Sequence, residues 1–316
     1  MPLSEFELIR KYLQDALADA PGIIQGIGDD AAVVRVPPGQ DLVLSMDTLV
    51  TGVHFPDQTP AEDIGYRSLA VNLSDLAAMG AEPRWISLSL TMPESNETWL
   101  QGFMHGLSGL AKQYSMALVG GDVSKGPLSI TIQVHGWVPE GQAIYRSGAR
   151  PGDRVYVSGT LGDAGLALQS LQDAGNSNST QSHALPGALL RPNPRVHLGL
   201  ALRGYASAAI DVSDGLIADL GHILSASQCG AVIKIHQLPL SDAVRNSKNS
   251  IDLALAGGDD YELCFTVSPQ NVAALDSIQQ EHAITCIGNI TAGDALECLQ
   301  QDGSLYYPER VSYRHF

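Results

Sequence analysis

The sequence predicts a mixed α/β fold, α/β shading into α+β, in two domains. Three observations predict it. The chain has 316 residues, and at roughly 100–200 residues per domain that is enough for two self-sufficient cores. Apolar residues recur with period 2 in some segments and with helical spacing in others, and the two kinds interleave through both halves. A stretch at 139–152 carrying Pro139, Gly141, Gly148, Pro151 and Gly152 interrupts both patterns. It separates an expected domain over 1–140 from a second over 148–316.

The elements follow in chain order. Ser4 and Glu7 have capping-box spacing, and Leu8, Ile9, Tyr12, Leu13, Ala16 and Leu17 recur behind them at helical spacing, which predicts a first helix. Gly26-Ile27-Gly28-Asp29-Asp30 is an acidic glycine turn. Residues 31–36 and 41–46 read as strands parted by Pro37-Pro38-Gly39. A helix over about 61–79 starts behind Pro60 and stops at Gly80. Next come a strand at 84–90, a helix at 97–113, and a strand at 116–119 ending in Gly120-Gly121-Asp122. Residues 128–138 form the longest expected strand, with Ile130, Ile132, Val134 and Gly136 on one face. In the second half, strands are expected at 154–158, 207–212, 231–235, 261–267 and 284–287, and helices at 162–174, 215–226 and 270–280. Residues 176–182 are a polar, low-complexity loop.

Composition narrows the function classes. Lys and Arg total 18 against 34 Asp and Glu, a net charge of −16, which argues against nucleic acid or an anionic membrane as partner. The acid excess is mostly aspartate, 23 against 11 glutamates. Short carboxylates in loops suit Mg²⁺ or Ca²⁺, and equally suit a solvated surface. Cys229, Cys264, Cys286 and Cys298 include no CxxC pair, so neither a zinc site nor a disulfide framework is expected. The N-terminus lacks the basic start and apolar core of a signal peptide, and no uncharged apolar run is long enough to span a bilayer. The expected location is the cytoplasm.

Chemistry concentrates in aspartates at strand ends and in glycine turns: Asp29-Asp30, Asp47, Asp75, Asp122, Asp211, Asp214 and Asp259-Asp260. Such positions gather at one rim of a sheet, where α/β folds bind ligands. Asn72 and Asp75 share a helix face at i,i+3 spacing. Converging carboxylates repel one another unless cations lie between them, and oxygen-only donors suit Mg²⁺ with a phosphorylated substrate. The alternative is that these aspartates shape turns and cap helices. None of the five lysines follows a glycine, which excludes a Walker A loop. A bound triphosphate must then be held through metal ions and arginine. Arg146, in Tyr145-Arg146-Ser147-Gly148, is the candidate, with an interdomain salt bridge as its other reading.

Several runs resemble the thiamine-monophosphate kinase family, within the wider superfamily of aminoimidazole ribonucleotide synthetase. They are Gly26-Ile27-Gly28-Asp29-Asp30-Ala31-Ala32, Asp47 to Phe55 (DTLVTGVHF) and Ala70 to Ala81 (AVNLSDLAAMGA). Gly120-Gly121-Asp122, Arg146 to Ala149 (RSGA), Ile210 to Leu216 (IDVSDGL) and Gly257 to Leu263 (GGDDYEL) follow in the family's order. The resemblance implies the two-domain aminoimidazole ribonucleotide synthetase-like fold, with mixed sheets flanked by helices. The N-terminal domain would bind ATP and Mg²⁺ and form a homodimer, and the C-terminal domain would complete the substrate site. The implied reaction is ATP-dependent phosphorylation of thiamine monophosphate to thiamine diphosphate.

Carried over by position, Asp30, Ser45, Met46, Asp47, Asp75, Asp122, Asp211 and Asp214 match metal-ligand residues. The catalytic set is Asp47, Asp75 and Asp122. Met46 stands where the family often has Thr, so only its backbone carbonyl suits Mg²⁺. Gly121, Asp122, Arg146 and Ser213 match nucleotide positions; His54, Glu262 and Tyr313 match positions that hold thiamine monophosphate. From chemistry alone, His54 is either a phosphate donor or a loop histidine. Glu262 and Tyr313 suit a cationic aromatic ring, or else end a strand and pack on a core edge. The acceptor oxygen is already ionised, so the aspartates are expected to bind metal rather than move protons.

Three other readings stand beside this one, a metal-dependent phosphatase, marked by phosphate release without ATP, being the third. The first is a catalytically silent Mg-nucleotide-binding protein. The second is a different ATP-dependent synthetase of the superfamily. Selenophosphate synthetase expects a reactive Cys near the N-terminus, but none precedes Cys229; the hydrogenase-maturation relative ends in Cys, whereas this chain ends Tyr313-Arg314-His315-Phe316.

Overall fold

The computed structural model describes residues 5–13, 17, 20–176 and 186–309. Ser4 of the expected capping box, most of the expected loop at 176–182, and Tyr313 lie outside the described residues. The chain divides into two compact units, Met1–Leu76 with Ala81–Gly141, and Ala77–Gly80 with Gln142–Phe316.

The first unit begins with α1 (Glu5–Leu8), which passes into a π turn at Ile9–Leu13. A short hairpin, β1 (Ile23–Gln25) and β2 (Val33–Val34), precedes β3 (Gln40–Val50). Then come α2 (Ala61–Ala78), β4 (Glu82–Met92), α3 (Glu97–Gln113), β5 (Ala117–Lys125) and β6 (Ser129–Pro139). The first element is therefore not one regular helix, although Leu8, Leu13 and Leu17 are all buried as its spacing required.

The four-stranded sheet has the order β3-β6-β4-β5, with β4 and β5 parallel and the other neighbours antiparallel. The mixture arises because α3 carries the chain from β4 to β5 as a crossover, while β6 returns by a tight connection. One face of the sheet is apolar: Leu49, Ile130, Ile132, Val134, Ile86, Leu88 and Leu90 are buried. Helices α2 and α3 approach closely. A methyl group on Gly65 would stand 2.0 Å from the Phe103 carbonyl oxygen, and one on Gly106 would stand 1.9 Å from that of Glu62. Only glycine at both crossing points permits this spacing.

On the opposite face, Trp85 and Trp137 meet edge to face at 5.2 Å, and the β1–β2 hairpin covers them through Ile23, Ala32 and Val34. The remainder of that face along β3 is open. Leu42, Leu44 and Met46 are 42 %, 52 % and 61 % exposed.

The second unit holds β7 (Arg154–Ser158), α4 (Asp163–Asn176), α5 (Pro186–Leu190), α6 (Val196–Ala201), β8 (Ala206–Asp211) and α7 (Leu216–Ser227). It continues through β9 (Gly230–Lys234), α8 (Asp242–Arg245), α9 (Ser250–Ala256), β10 (Leu263–Val267), α10 (Leu275–Glu281), β11 (Ile284–Thr291), β12 (Leu296–Leu299) and β13 (Leu305–Tyr306). The sheet order is β13-β12-β9-β11-β7-β10-β8, and β12–β9 is the parallel pair within it. Its core joins Val155, Val157, Ile210, Leu220, Ile223, Cys264 and Ile287.

Three further expectations need correction. Strand β5 does not stop at residue 119 but runs through Gly120-Gly121-Asp122, because Gly121 takes φ +151° and keeps the chain extended beside β4. Strand β10 starts at Leu263 rather than 261, because Asp259 and Tyr261 adopt positive φ of +61° and +49°, which no strand accommodates. The helix expected at 270–280 is a 3₁₀ turn at Val272–Ala274 followed by α10.

Candidate active site

In the first unit, β3 and α2 build an acidic pair. Period 2 puts Ser45 and Asp47 on the helix-covered face of β3. Helical spacing stacks Asn72 and Asp75 on the side of α2 that meets them. Asn72 is fully buried; its Nδ2 donates to the Ser68 carbonyl at 3.0 Å, and its Oδ1 accepts the Asp47 backbone N–H at 3.1 Å. The Ser45 hydroxyl donates to Asp75 Oδ2 at 2.5 Å. Burial, and then repulsion from Asp75, pushes the Asp47 carboxyl from 3.8 up to about 6. Two carboxylates and a hydroxyl, mutually unfavourable as anions, form a donor set that suits Mg²⁺. That ion keeps several waters and takes one or two protein carboxylates alongside substrate phosphates.

A second group lines a cleft of about 840 Å³ in the same unit. Its walls include Gly28, Asp29 and Asp30 from the acidic turn, Ser87 and Leu88 from β4, and Gly120, Gly121 and Asp122 from β5. Asp29 Oδ1 accepts the Asp30 N–H at 2.8 Å, so Asp29 shapes the turn. The Ser124 hydroxyl donates to Asp122 Oδ2 at 2.7 Å. A methyl group on Gly121 would stand 1.8 Å from the Leu88 carbonyl oxygen. Gly121→Ala is therefore expected to disrupt this wall and lower the thermal midpoint of the protein, which thermal denaturation measures.

The register keeps these groups apart within one chain. Asp47 is level with Ile132, Leu88 and Gly121, whereas Asp122 is level with Ser89, Thr131 and Thr48. Asp47 and Asp122 thus face opposite sides of the sheet, on its two edge strands, three strand spacings or about 14 Å apart. Among the described residues no three His, Cys, Asp or Glu side chains stand together as a metal centre. Met46 is on the open face beside Gln133. His54 sits in the turn after β3. Its Nδ1 accepts the Val50 N–H at 3.0 Å, so the neutral ring carries its proton on Nε2.

In the second unit the two acidic motifs interlock. Asp211 ends β8 opposite Leu263 of β10 and is 5 % exposed. Val212 N–H bonds to the Glu262 carbonyl at 2.7 Å, Tyr261 N–H to that of Val212 at 2.8 Å, and Asp259 N–H to that of Ser213 at 2.7 Å. Two left-handed non-glycine residues in this segment store strain of the kind that gathers at functional sites. Asp260 accepts the Gly162 and Ala164 N–H groups at the start of α4, and burial pushes its carboxyl well above the usual range. Of the acid dipeptide, Asp260 thus serves the fold.

Glu262 differs most from the sequence reading. It is 7 % exposed, and both its oxygens accept from Arg195, Oε2 from Nε at 2.6 Å and Oε1 from Nη2 at 2.5 Å. Ser158 donates to Oε2 at 2.5 Å. Its charge is already matched by a guanidinium. Arg146 is exposed, in a segment tied to the end of α7 through Ser227, whose hydroxyl meets the Arg146 carbonyl at 3.3 Å and the Gly148 and Ala149 N–H groups at 3.1 Å. Sequence reading missed Arg195 and Asp219. Asp219 Oδ2 accepts the Ser213, Asp214 and Gly215 N–H groups, and burial raises its carboxyl to about 7 against those bonds, which lower it. Neither residue lies in a glycine turn or at a strand end, so no local signal marked them.

Comparisons with known proteins agree with this architecture. Residues 28–138 match the family described as AIR synthase related protein, N-terminal domain, and residues 150–299 match its C-terminal domain. The thiamine-monophosphate kinase of Salmonella typhimurium is 47 % identical over all of this chain and 99 % of its own length; that of Escherichia coli K12 is 46 % identical over the same shares. The crystal structure of thiamine-monophosphate kinase from Stenotrophomonas maltophilia superposes with a TM-score of 0.86 at 45 % identity, covering 97 % of this chain and 99 % of that one. A structure of AaThiL complexed with AMPPCP and TMP gives 0.79 at 32 % identity, covering 98 % and 96 %. The chain belongs to the AIR synthase related family and, within it, to the thiamine-monophosphate kinases.

Proposed function

We propose that this protein transfers the γ-phosphoryl group of ATP to the phosphate of thiamine monophosphate, giving thiamine diphosphate and ADP. The observation that carries the reading is the Asp47–Asp75 pair, two anions held together by Asn72 and Ser45, in a chain that shares nearly half its residues with named thiamine-monophosphate kinases. The AaThiL structure, which holds an ATP analogue and TMP, supports ATP and thiamine monophosphate as the pair of substrates.

Both reacting groups are anions, so the first barrier is their repulsion. Bound Mg²⁺ would neutralise the phosphate oxygens and favour in-line transfer. Asp30, Ser45, Asp47, Asp75, Asp122, Asp211 and Asp214 would supply oxygen donors, and Met46 its carbonyl. Gly121, Asp122, Arg146 and Ser213 are assigned to the nucleotide. The glycine at 121 leaves the cleft wall free of a side chain. His54 keeps its assignment to thiamine monophosphate from the family resemblance. Glu262, matched by Arg195, orders the substrate segment rather than offering a free negative charge; Tyr313 keeps its assignment from the family resemblance.

The open apolar strip of β3 supports a homodimer through the first unit. An exposed strip of Leu42, Leu44 and Met46 on an edge strand is what solvent-facing sheets avoid and subunit interfaces bury. Leu44→Asp is expected to convert the dimer to monomer, read by light scattering on a sizing column.

Incubation with ATP, Mg²⁺ and thiamine monophosphate, followed by fluorescent detection of oxidised thiamine diphosphate, tests the reaction. ADP release with no thiamine diphosphate would reject it. Phosphate release without ATP would indicate a phosphatase. Among the described residues no helix is long and apolar enough to cross a membrane.

A further inference from the structure

We propose that Asp219 is a positioning residue that shapes the Ser213–Asp214 segment for nucleotide and cation binding without touching either ligand. The inference rests on the assignment of Ser213 and Asp214 in the proposed function.

Asp219 lies in the first turn of α7, is 2 % exposed, and directs one oxygen at three consecutive backbone N–H groups: Ser213 at 3.0 Å, Asp214 at 3.0 Å and Gly215 at 3.1 Å. Gly215 caps the helix without a side chain, at φ +111°. Three converging N–H groups at a helix start make a cradle that elsewhere receives a phosphate or other anion. Here the protein's own carboxylate occupies it, so the nucleotide has no backbone cradle to enter at this point.

The carbonyl side of the segment is committed as well. The Val212 and Ser213 oxygens accept from Tyr261 and Asp259, and the Val212 N–H donates to Glu262. From Val212 to Gly215 the backbone is therefore held on one side by Asp219 and on the other by the strained 259–262 segment. The Ser213 and Asp214 side chains are half-buried on this fixed backbone. A ligand meeting a pre-ordered segment avoids the entropy cost of ordering it.

Asp219→Asn keeps an acceptor oxygen but removes the charge, and Asp219→Ala removes both. The expected order of dissociation constants for a Mg²⁺-complexed, non-hydrolysable ATP analogue is wild type, then Asn at about 10-fold weaker, a change of 1.4 kcal/mol, then Ala weaker still. These are measured by calorimetry well below each protein's thermal midpoint. Ser213→Ala and Asp214→Asn are measured alongside. If those two weaken binding and folded Asp219→Asn binds like wild type, the inference is overturned and the assignment stands. If those two bind like wild type, the assignment fails and the inference with it. Hydrogen exchange on the wild-type protein needs no variant to fold. Amides 213–215 should exchange slowly without nucleotide and little slower with it; fast exchange that slows only on nucleotide addition would overturn the inference. A residue that merely capped α7 would shift the thermal midpoint and leave the nucleotide affinity where it was.

Discussion

Asp75→Asn should lower turnover by about 10²–10³-fold, by analogy with the loss of other preorganised electrostatic groups, while raising the thermal midpoint of the metal-free protein at pH 8. The two effects have one cause. Asp75 stands against Asp47 and helps lift its carboxyl to about 6. The repulsion is a cost to the empty protein and an attraction for a divalent cation. The asparagine side chain keeps an oxygen to accept from Ser45, so the hydrogen bond in the wild-type pair survives. Steady-state kinetics at saturating Mg²⁺ and thermal denaturation in a chelator read the two arms. A near-normal kcat would remove Asp75 from the metal-binding role.

The same pair sets a pH dependence. Asp47 has a folded-state pKa of about 6, above its ordinary 3.8. Between those values the folded protein holds more proton than the unfolded chain, so this group's contribution to stability falls as pH rises from about 4 through 6. A cation competes with that proton. The Mg²⁺ concentration giving half-maximal activity should therefore rise as pH is lowered through 6, and Asp75→Asn should move the onset of that rise to lower pH.

The second large effect belongs to Arg195. Arg195→Ala strands the Glu262 carboxylate, 7 % exposed, with Ser158 as its remaining side-chain donor in the network. Breaking a buried ion pair by deleting one partner costs about 3–5 kcal/mol. In a domain of this size that is roughly 6–20 °C of thermal midpoint. Arg195→Lys keeps a positive charge but loses the two-pronged geometry at Nε and Nη2, so an intermediate loss is expected. Glu262→Gln should cost less than Arg195→Ala, since Arg195 retains 29 % side-chain exposure and water can serve a guanidinium there. Thermal denaturation of the three variants in one buffer ranks them. Equal midpoints for wild type and Arg195→Ala would show that the pair does not stabilise the unit.

Some of this was legible from local pattern. Glu97–Gln113 and Arg154–Ser158 coincide with their predicted spans, because the apolar pattern along each is local. Asn72 and Asp75 were placed on one helix face by spacing alone, and both reach β3. The strand through Gly120-Gly121-Asp122 was not legible. Glycine usually ends a strand, and only the approach of Leu88 shows why here it lets one continue. The regular first helix was also overcalled, since apolar spacing does not distinguish an α turn from a π turn.

The sequence by itself determined the element types, the acid-rich glycine turns and the family to which they belong, because these depend on residues near one another along the chain. It left the partners of those acids undecided. That Asp47 meets Asp75 but faces away from Asp122, that Glu262 is neutralised by Arg195, and that Asp219 fills the cradle at the start of α7 were decided by strand order, register and helix crossing. Those are set by long-range packing, which brings together groups that no local period relates.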